Sequence, residues 1–202
     1  MRDPANIAAI AALHPDMMGF IFWSKSKRAA CGLNPDALDT IPASIIRVGV
    51  FVNATIDEIL STARSYKLRL IQLHGDESPA FCRIIRSTGL RVAKAIGIAT
   101  ENDIDLTDQY QGNVDLLVLD TKSPLRGGTG TAYDRSLLAH YNGQVPFLMS
   151  GGIAPGDADA ILHLNLPQMA GVDINSRFEI EPGIKDTAEV AKFIQQVRKI
   201  SI

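Results

Sequence analysis

The segment Val114-Asp115-Leu116-Leu117-Val118-Leu119-Asp120 decides the fold. Four consecutive aliphatic residues stand directly before Asp120. A short, near-continuous apolar run predicts a strand that is buried on both faces, as in a parallel sheet covered by helices. Asp120 then lies at the carboxyl end of this strand, in an apolar neighbourhood.

Six further apolar runs predict strands of the same kind, and segments with helical periodicity lie between them. The runs cover residues 17–23, 47–52, 69–74, 91–97, 145–150 and 169–174. With the run that starts at Val114, their starts are 30, 22, 22, 23, 31 and 24 residues apart. Strands that alternate with helices at this spacing predict an α/β protein and favour a TIM (β/α)8 barrel. We expect a single domain over residues 1–202.

Four helix starts carry recognisable capping signals. Thr55-Ile56-Asp57-Glu58 is a capping box, and Ser78-Pro79 and Asp186 with Glu189 begin two later helices. Asp3-Pro4 begins a helix almost at the start of the chain, where a barrel would first place a strand. We therefore expect the first β-strand of the barrel to be missing from this chain, through truncation or a start assigned at an internal Met. The alternative is an open seven-stranded sheet, which its two unpaired edges disfavour.

Composition excludes several classes of protein. Twenty Lys and Arg residues oppose 22 Asp and Glu residues, so a strongly basic nucleic-acid interface is not expected. No apolar run reaches the roughly 18–20 residues that a membrane span needs, and no secretory signal opens the chain. Cys31 and Cys82 form neither a disulfide framework nor a metal cluster, and we expect a cytoplasmic location.

In a TIM barrel the chemistry lies at the carboxyl ends of the strands, and phosphate is usually bound by the loops after the last two strands. Small or glycine-rich residues occupy those loops here, and a second glycine-rich stretch follows Asp120. The phosphate-binding candidates are Ser150, Gly151, Gly152, Asn175 and Ser176, with Gly128 and Gly130 in the stretch after Asp120. For each single loop, a tight turn is the simpler interpretation of the glycines.

Four side chains are candidates for chemistry or substrate binding. Asp120 is a candidate proton donor, although a carboxylate that caps nearby backbone N–H groups fits its position equally well. Arg28, in a basic loop after the first run, is suited to clamp a substrate carboxylate. Gln72 and His74 follow another run and lie near the barrel mouth, where a structural role for His74 is the simpler interpretation.

Taken in order, these motifs resemble the phosphoribosylanthranilate isomerase family of tryptophan biosynthesis. The matching stretches lie at 16–22, 25–28, 47–53, 72–75, 119–121, 127–130, 150–152, 172–176, 179, 182–183 and 185–186. The resemblance covers essentially the whole chain. It implies a (β/α)8 barrel that needs no metal or organic cofactor and carries out an Amadori rearrangement of a phosphorylated sugar-anthranilate substrate, as a monomer or homodimer.

The resemblance also implies roles for single residues. An aspartate at Asp120 acts as general acid on the ring oxygen, an arginine at Arg28 binds the anthranilate carboxylate, and backbone amides of the glycine-rich loops hold the phosphate. The general base is a cysteine in a Cys-Gly-Met-Arg-type stretch, and this sequence begins at Met1-Arg2-Asp3 without that cysteine. Since general base catalysis is worth roughly 10²–10⁴-fold, turnover by this chain is expected to be crippled. Cys31 could replace the missing general base, but an inert packing role is the favoured interpretation of this residue. Cys82 is expected in the core.

Two rival functions stay open from the residues alone. One is an isomerase or lyase that acts on another sugar phosphate in the same barrel, without a need for Arg28. The other is a barrel that binds a phosphorylated ligand without catalysis, which a missing base would permit.

Overall fold

A computed structural model describes residues 1–122 and 134–198 of the chain. These residues form six α-helices and nine strands, joined by short 3-10 helices. The helices are α1 (Pro4–Ala11), α2 (Ile56–Ser65), α3 (Pro79–Ser87), α4 (Glu101–Asp105), α5 (Ala158–Leu162) and α6 (Thr187–Arg198). The strands are β1 (Met17–Ile21), β2 (Ile46–Phe51), β3 (Leu70–Leu73), β4 (Arg91–Ile98), β5 (Leu116–Thr121), β6 (Phe147–Met149), β7 (Met169–Val172), β8 (Glu179–Glu181) and β9 (Ile184–Lys185).

The first seven strands form one parallel sheet in the order in which they occur along the chain, with β1 and β7 as its outer strands. All seven predicted strands are confirmed, and most of their ends differ from the prediction by one or two residues. The register aligns the carboxyl ends of the strands, because Asp120 at the end of β5 pairs with Gly97 near the end of β4. An α/β fold with a parallel sheet is therefore established.

Side chains of the sheet alternate between two apolar layers. One layer lies on the inner face of the curved sheet and is built from Val48, Leu70, Ala93, Ala95, Leu116 and Val118. The other, larger layer lies between the sheet and the helices and includes Ile71, Leu73, Leu117 and Leu119. Because successive strand residues point to opposite faces, each strand that is buried on both sides has a continuous apolar sequence.

The predicted helix starts are present. Thr55 and Glu58 satisfy each other's backbone N–H groups, and Ser78 accepts a hydrogen bond from the Phe81 N–H. Asp3 caps α1 by accepting the Asn6 N–H, and Asp186 accepts the N–H groups of residues 188 and 189 at the start of α6.

Two connections differ from a regular strand–helix repeat. The connection that follows β1 has a 3-10 turn at Pro35–Leu38 where an α-helix was expected, and the described residues of the connection that follows β5 form a 3-10 turn at Arg135–His140. In the first, Gly32, Pro35 and Pro42 punctuate the segment and prevent a longer helix. The antiparallel hairpin β8–β9 was not predicted, and the Pro182-Gly183 pair, with Gly183 at φ +89°, forms its turn.

Elements from the two ends of the chain meet. α1 packs against α6 and β9. The Asn6 side chain donates to the backbone carbonyl of Lys185 at 2.9 Å and accepts the Lys185 N–H at 2.8 Å. The Met1 amino group donates to the carbonyl of Gly19, on the outer strand β1, at 3.0 Å. The start of the chain thus lies beside the outer strand β1, and α1 lies beside the hairpin β8–β9.

Among the residues described, no helix is both long enough and apolar enough to span a bilayer.

Candidate active site

Polar side chains replace the inner apolar layer at one end of the sheet. Along β3 and the residue after it, Gln72 and His74 continue the inner-facing positions that begin at Leu70. Along β5, Asp120 follows Val118 on the same face. These polar groups therefore point into the interior at the carboxyl ends of the strands, where parallel barrels place their chemistry.

The Asp120 carboxylate divides its two oxygens between two partners. Its Oδ2 atom lies 3.4 Å from Nε2 of His74, and its Oδ1 atom accepts the Thr121 N–H at 2.7 Å. His74 Nδ1 lies 3.2 Å from the Gln72 amide nitrogen. One oxygen of Asp120 therefore caps a backbone amide, while the other faces an imidazole in the interior.

The loop after β6 passes close to Asp120. A Cβ atom on Gly151 would lie 2.6 Å from the Thr121 backbone nitrogen and 2.8 Å from Asp120 Oδ1. Gly151 has φ +85° and Gly152 has φ +63°, both in the left-handed region. Glycine at residue 151 therefore lets the backbone of this loop reach the Asp120 carboxylate.

A second carboxylate, Asp173, faces the same interior. Ser150 Oγ donates to Asp173 Oδ2 at 3.3 Å. Loss of hydration raises the pKa of Asp173, and the nearby Asp120 carboxylate raises this pKa further. Burial and the neighbouring carboxylate therefore both disfavour the charged form of Asp173.

Arg28 lies beside a buried carboxylate from the far end of the chain. Glu179 Oε2 lies 2.7 Å from Arg28 Nη2, and Arg28 Nε donates to the Glu179 oxygens at 2.8 and 3.0 Å. Lys185 Nζ lies 3.3 Å from Glu179 Oε1. The sequence predicted that Arg28 lies near the mouth, but not that a carboxylate of the protein holds it.

Lys185 connects this pair to the loop after β7. Its Nζ atom donates to the Asn175 carbonyl at 2.9 Å and to the Asn175 side-chain oxygen at 2.7 Å. Burial lowers the pKa of Lys185, whereas Glu179 and Asp173 work in the opposite direction. Asn175 directly precedes Ser176, which begins a 3-10 turn at Ser176–Phe178. Asp173 therefore interacts electrostatically with both Asp120 and Lys185, and Lys185 interacts in turn with Arg28.

Other predictions concern the glycines after Asp120 and the two cysteines. Gly128 and Gly130 are outside the described residues. Cys31 is exposed and lies near Tyr66, so the expectation that it packs in the interior is wrong: its loop runs over the surface. Cys82 is fully buried, as predicted, and burial raises the pKa of its thiol to about 11. The helix that follows the Gly151-Gly152 loop, α5, has only five residues and contributes little dipole.

Sequence reasoning missed the roles of Asp173, Glu179 and Lys185. For Asp173 a signal existed, since it continues the inner-facing positions of β7 just as Asp120 continues those of β5. For Glu179 and Lys185 the only signal was the Pro182-Gly183 turn between them. That turn predicts a hairpin, but it does not indicate that the hairpin packs against the loop after β1.

A groove of about 670 Å³ lies at the opposite ends of the strands. Its lining includes Arg86, Asp115 and Gln144. Val145 and Pro146, which precede β6, also contribute, so this groove faces away from Asp120. Among the residues that the structure describes, no three His, Cys, Asp or Glu side chains are grouped as a metal site would require.

The fold and the placement of its polar groups define a class: a parallel α/β barrel protein with titratable side chains gathered at the carboxyl ends of its strands. Residues 1–196 match the family model of N-(5'phosphoribosyl)anthranilate (PRA) isomerase. The chain belongs to this family.

Individual relatives agree with this assignment. An N-(5'-phosphoribosyl)anthranilate isomerase from Parabacteroides distasonis is 46% identical, with 98% of this chain and 90% of the relative covered. The structure of a dimeric phosphoribosylanthranilate isomerase from Thermotoga maritima, solved as monomers, has a TM-score of 0.79 and 28% identity over 99% of this chain and 96% of that chain. A family structure in complex with reduced 1-(o-carboxyphenylamino)-1-deoxyribulose 5-phosphate has a TM-score of 0.78 and 27% identity, with the same shares covered.

Proposed function

We propose that this chain provides the isomerase site that converts N-(5'-phosphoribosyl)anthranilate to 1-(2-carboxyphenylamino)-1-deoxyribulose 5-phosphate in tryptophan biosynthesis. The observation that carries this proposal is the meeting of Asp120, His74, Asp173 and Gly151 on the inner face at the carboxyl ends of the strands. Family membership supplies the reaction, and this geometry supplies an acid and a close-approaching loop for it, whereas the general base is expected on a strand before Met1.

Asp120 acts as the general acid in this scheme. It gives a proton to the ring oxygen of the ribose, the C1–O bond breaks, and the anthranilate nitrogen forms a C1=N iminium. A base then removes the proton from C2, which gives an enolamine. The enolamine becomes the ketone when C1 gains a proton and the C2 hydroxyl loses its proton. His74, 3.4 Å from Asp120 Oδ2, holds the acid toward the sugar together with Gln72.

The remaining candidates bind the two charged ends of the substrate. Arg28 takes the anthranilate carboxylate, and Gln72 and His74 contact the substrate between its ends. The phosphate is held by the small and glycine-rich loops, whose backbones approach an anion closely. We assign this role to Ser150, Gly151, Gly152, Asn175, Ser176, Gly128 and Gly130. The resemblance implies no metal or organic cofactor, because ring opening and the hydrogen shift from C2 to C1 proceed by acid–base chemistry.

An eighth strand completes the barrel in our proposal, and it lies between β7 and β1. Two observations support this position: β7 and β1 are the outer strands of the sheet, and the Met1 amino group donates to the carbonyl of Gly19 on β1. A strand that ends in Cys-Gly directly before Met1 would place a thiolate at the mouth as the general base. The whole chain forms one barrel domain, which we place in the cytoplasm as a monomer or homodimer.

A steady-state assay with N-(5'-phosphoribosyl)anthranilate tests the proposal. Two proteins are compared: this chain, and the same chain extended by an apolar strand that ends in Cys-Gly. We expect the extended chain to turn over substrate at least about 10²-fold faster, the lower bound for a general base. If the extended chain is inert as well, the isomerase assignment of this site fails.

A further inference from the structure

Glu179 is a buried carboxylate to which the proposed reaction assigns no role. Its side chain is 4% exposed, and that of Arg28 is 17% exposed. The two residues are 151 positions apart in the chain, and the hairpin β8–β9 brings them together. A buried ion pair formed at such separation fixes the orientation of both partners.

The Glu179 carboxylate binds one edge of the Arg28 guanidinium. Both Glu179 oxygens lie within 3.0 Å of Arg28 Nε, and Oε2 lies 2.7 Å from Nη2. A guanidinium has five N–H groups, and the contacts with Glu179 occupy the one on Nε and one on Nη2. The other edge, formed by Nη1 and the second N–H of Nη2, has the geometry that receives a second carboxylate through two parallel hydrogen bonds.

Further donors hold Glu179 from its other side. Lys185 Nζ lies 3.3 Å from Oε1, and the Gly183 N–H donates to Oε1 at 3.2 Å. Burial works to raise the pKa of Glu179, but Arg28 and Lys185 outweigh it and keep this pKa below its ordinary value. Glu179 is therefore a fixed, ionised partner of Arg28 and does not stand in for a substrate carboxylate.

Glu179 contacts two cations. Arg28 and Lys185 bring two positive charges, both of which lie against Glu179, and Asp173 also acts on Lys185. Without Glu179, Arg28 and Lys185 would repel each other and the guanidinium would have no fixed edge. With it, one edge of the guanidinium is held, and its other edge keeps N–H groups that Glu179 does not contact.

We propose that Glu179 is a positioning residue that orients Arg28 so that its free edge receives the aromatic carboxylate of the substrate. This inference rests on the proposed function, in which Arg28 binds that carboxylate. Glu179 determines specificity through Arg28 and does not touch the substrate.

Calorimetric titration with two ligands tests the inference. One ligand is reduced 1-(o-carboxyphenylamino)-1-deoxyribulose 5-phosphate, and the other is the same compound without the ring carboxylate. We expect the unaltered chain to bind the carboxylated ligand more tightly. In Glu179→Gln an amide NH₂ group faces the N–H groups of Arg28, so this preference should fall by roughly tenfold, while affinity for the second ligand stays within about twofold.

Three further variants separate positioning from other roles. Glu181→Gln, on the same hairpin but in an exposed 3.8 Å pair with Arg2, is the matched control and should keep the preference. Glu179→Asp keeps the charge but shortens the side chain, so it should lose most of the preference as well. In an Arg28→Ala background, Glu179→Gln should have no further effect on the preference.

Several outcomes contradict the inference. If Glu179→Gln keeps or increases the preference, repulsion between carboxylates outweighs positioning and the inference is wrong. If Glu179→Gln weakens both ligands equally while urea unfolding shows a folded protein, Glu179 has only a structural role. If the unaltered chain binds both ligands equally well, the contact of Arg28 in the proposed function fails, and the role of Glu179 fails with it.

Discussion

Asp120 shows how one strand residue acquires two partners. The alternation of side chains along β5 turns it inward, and the apolar residues before it keep this strand in the sheet. Its carboxylate then accepts a backbone amide with one oxygen and faces His74 with the other. The hydrogen bond from the Thr121 N–H fixes the Asp120 side chain, and the second carboxylate oxygen then points into the interior.

Replacing Asp120 by Asn removes the proton donor but keeps the size of the side chain. We expect kcat/KM of the extended, Cys-bearing chain to fall by about 10²–10⁴-fold, with less than about fivefold loss of affinity for the reduced product analogue. Steady-state kinetics and calorimetry measure the two effects. Asp115→Asn, just before the opposite end of the same strand, is the control and should leave kcat unchanged. Full activity of the Asp120→Asn variant would remove Asp120 from the mechanism.

Gly151 has no room for a side chain. In Gly151→Ala the new Cβ would lie 2.6 Å from the Thr121 nitrogen at φ +85°, so we expect a loss of about 1–3 kcal/mol in the free energy of unfolding. Urea unfolding measures this loss. Gly156→Ala, where no atom lies within 4 Å of the new Cβ, is the control and should change stability little. Equal stability of the two variants would show that the loop after β6 does not approach Asp120 so closely.

The sequence could predict the site residues that follow strand periodicity, and it missed those that depend on a distant hairpin. Asp120, Gln72 and His74 continue inward-facing positions of their strands, so their direction follows from local pattern. Glu179 reaches Arg28 only because the hairpin folds over the loop after β1. No local pattern encodes that contact, since the two residues are 151 positions apart.

At the scale of elements, capping chemistry was the most reliable signal. α2 begins where Thr55 and Glu58 satisfy each other's backbone amides. The connections after β1 and β5 were harder to predict, because helical periodicity alone does not distinguish a 3-10 turn from an α-helix in a short segment interrupted by Pro and Gly.

The start of α2 makes stability depend on pH. The Thr55 N–H donates to the Glu58 carboxylate and lowers its pKa in the folded state. A carboxylate with a lowered pKa stabilises the folded state above its unfolded pKa, and this contribution is lost as pH falls through the folded pKa. We therefore expect Glu58→Gln to reduce stability at pH 7 and to have a progressively smaller effect as the pH falls below the ordinary pKa of a glutamate.

Urea unfolding of Glu58→Gln between pH 7 and pH 3 measures this dependence. Asp57→Asn changes an acid in the same first turn without removing the capping bond, and it should show a smaller pH-dependent difference. A stability difference for Glu58→Gln that stays constant over this range would contradict the capping role.

At the scale of the whole molecule, contacts between the chain ends hold the curved sheet. Asn6 pairs with the backbone of Lys185 in both directions, and Arg198 donates to the carbonyl of His14 and to Asp16. The Asn6 bonds join the first helix to the hairpin that carries Glu179, and the Arg198 bonds join the end of α6 to the segment before β1. Folding of the ends and geometry of the proposed carboxylate site are therefore coupled.

Asn6→Ala should break this junction. Loss of two hydrogen bonds that are partly shielded from water predicts a decrease of about 1–3 kcal/mol in the free energy of unfolding. We also expect weaker binding of the carboxylated ligand, because the hairpin loses its anchor. Chemical denaturation and calorimetry measure both, with Asn102→Ala on the exposed surface of α4 as control. Unchanged stability and unchanged binding would show that the chain ends do not support the site.

The most direct test of the account is a crystal structure of the chain bound to reduced 1-(o-carboxyphenylamino)-1-deoxyribulose 5-phosphate. We predict the phosphate against the backbone of residues 151–152 and 175–176, the ring carboxylate on the free edge of Arg28, and the sugar beside Asp120. A ligand bound instead in the groove lined by Arg86, Asp115 and Gln144, or with its carboxylate away from Arg28, would contradict it.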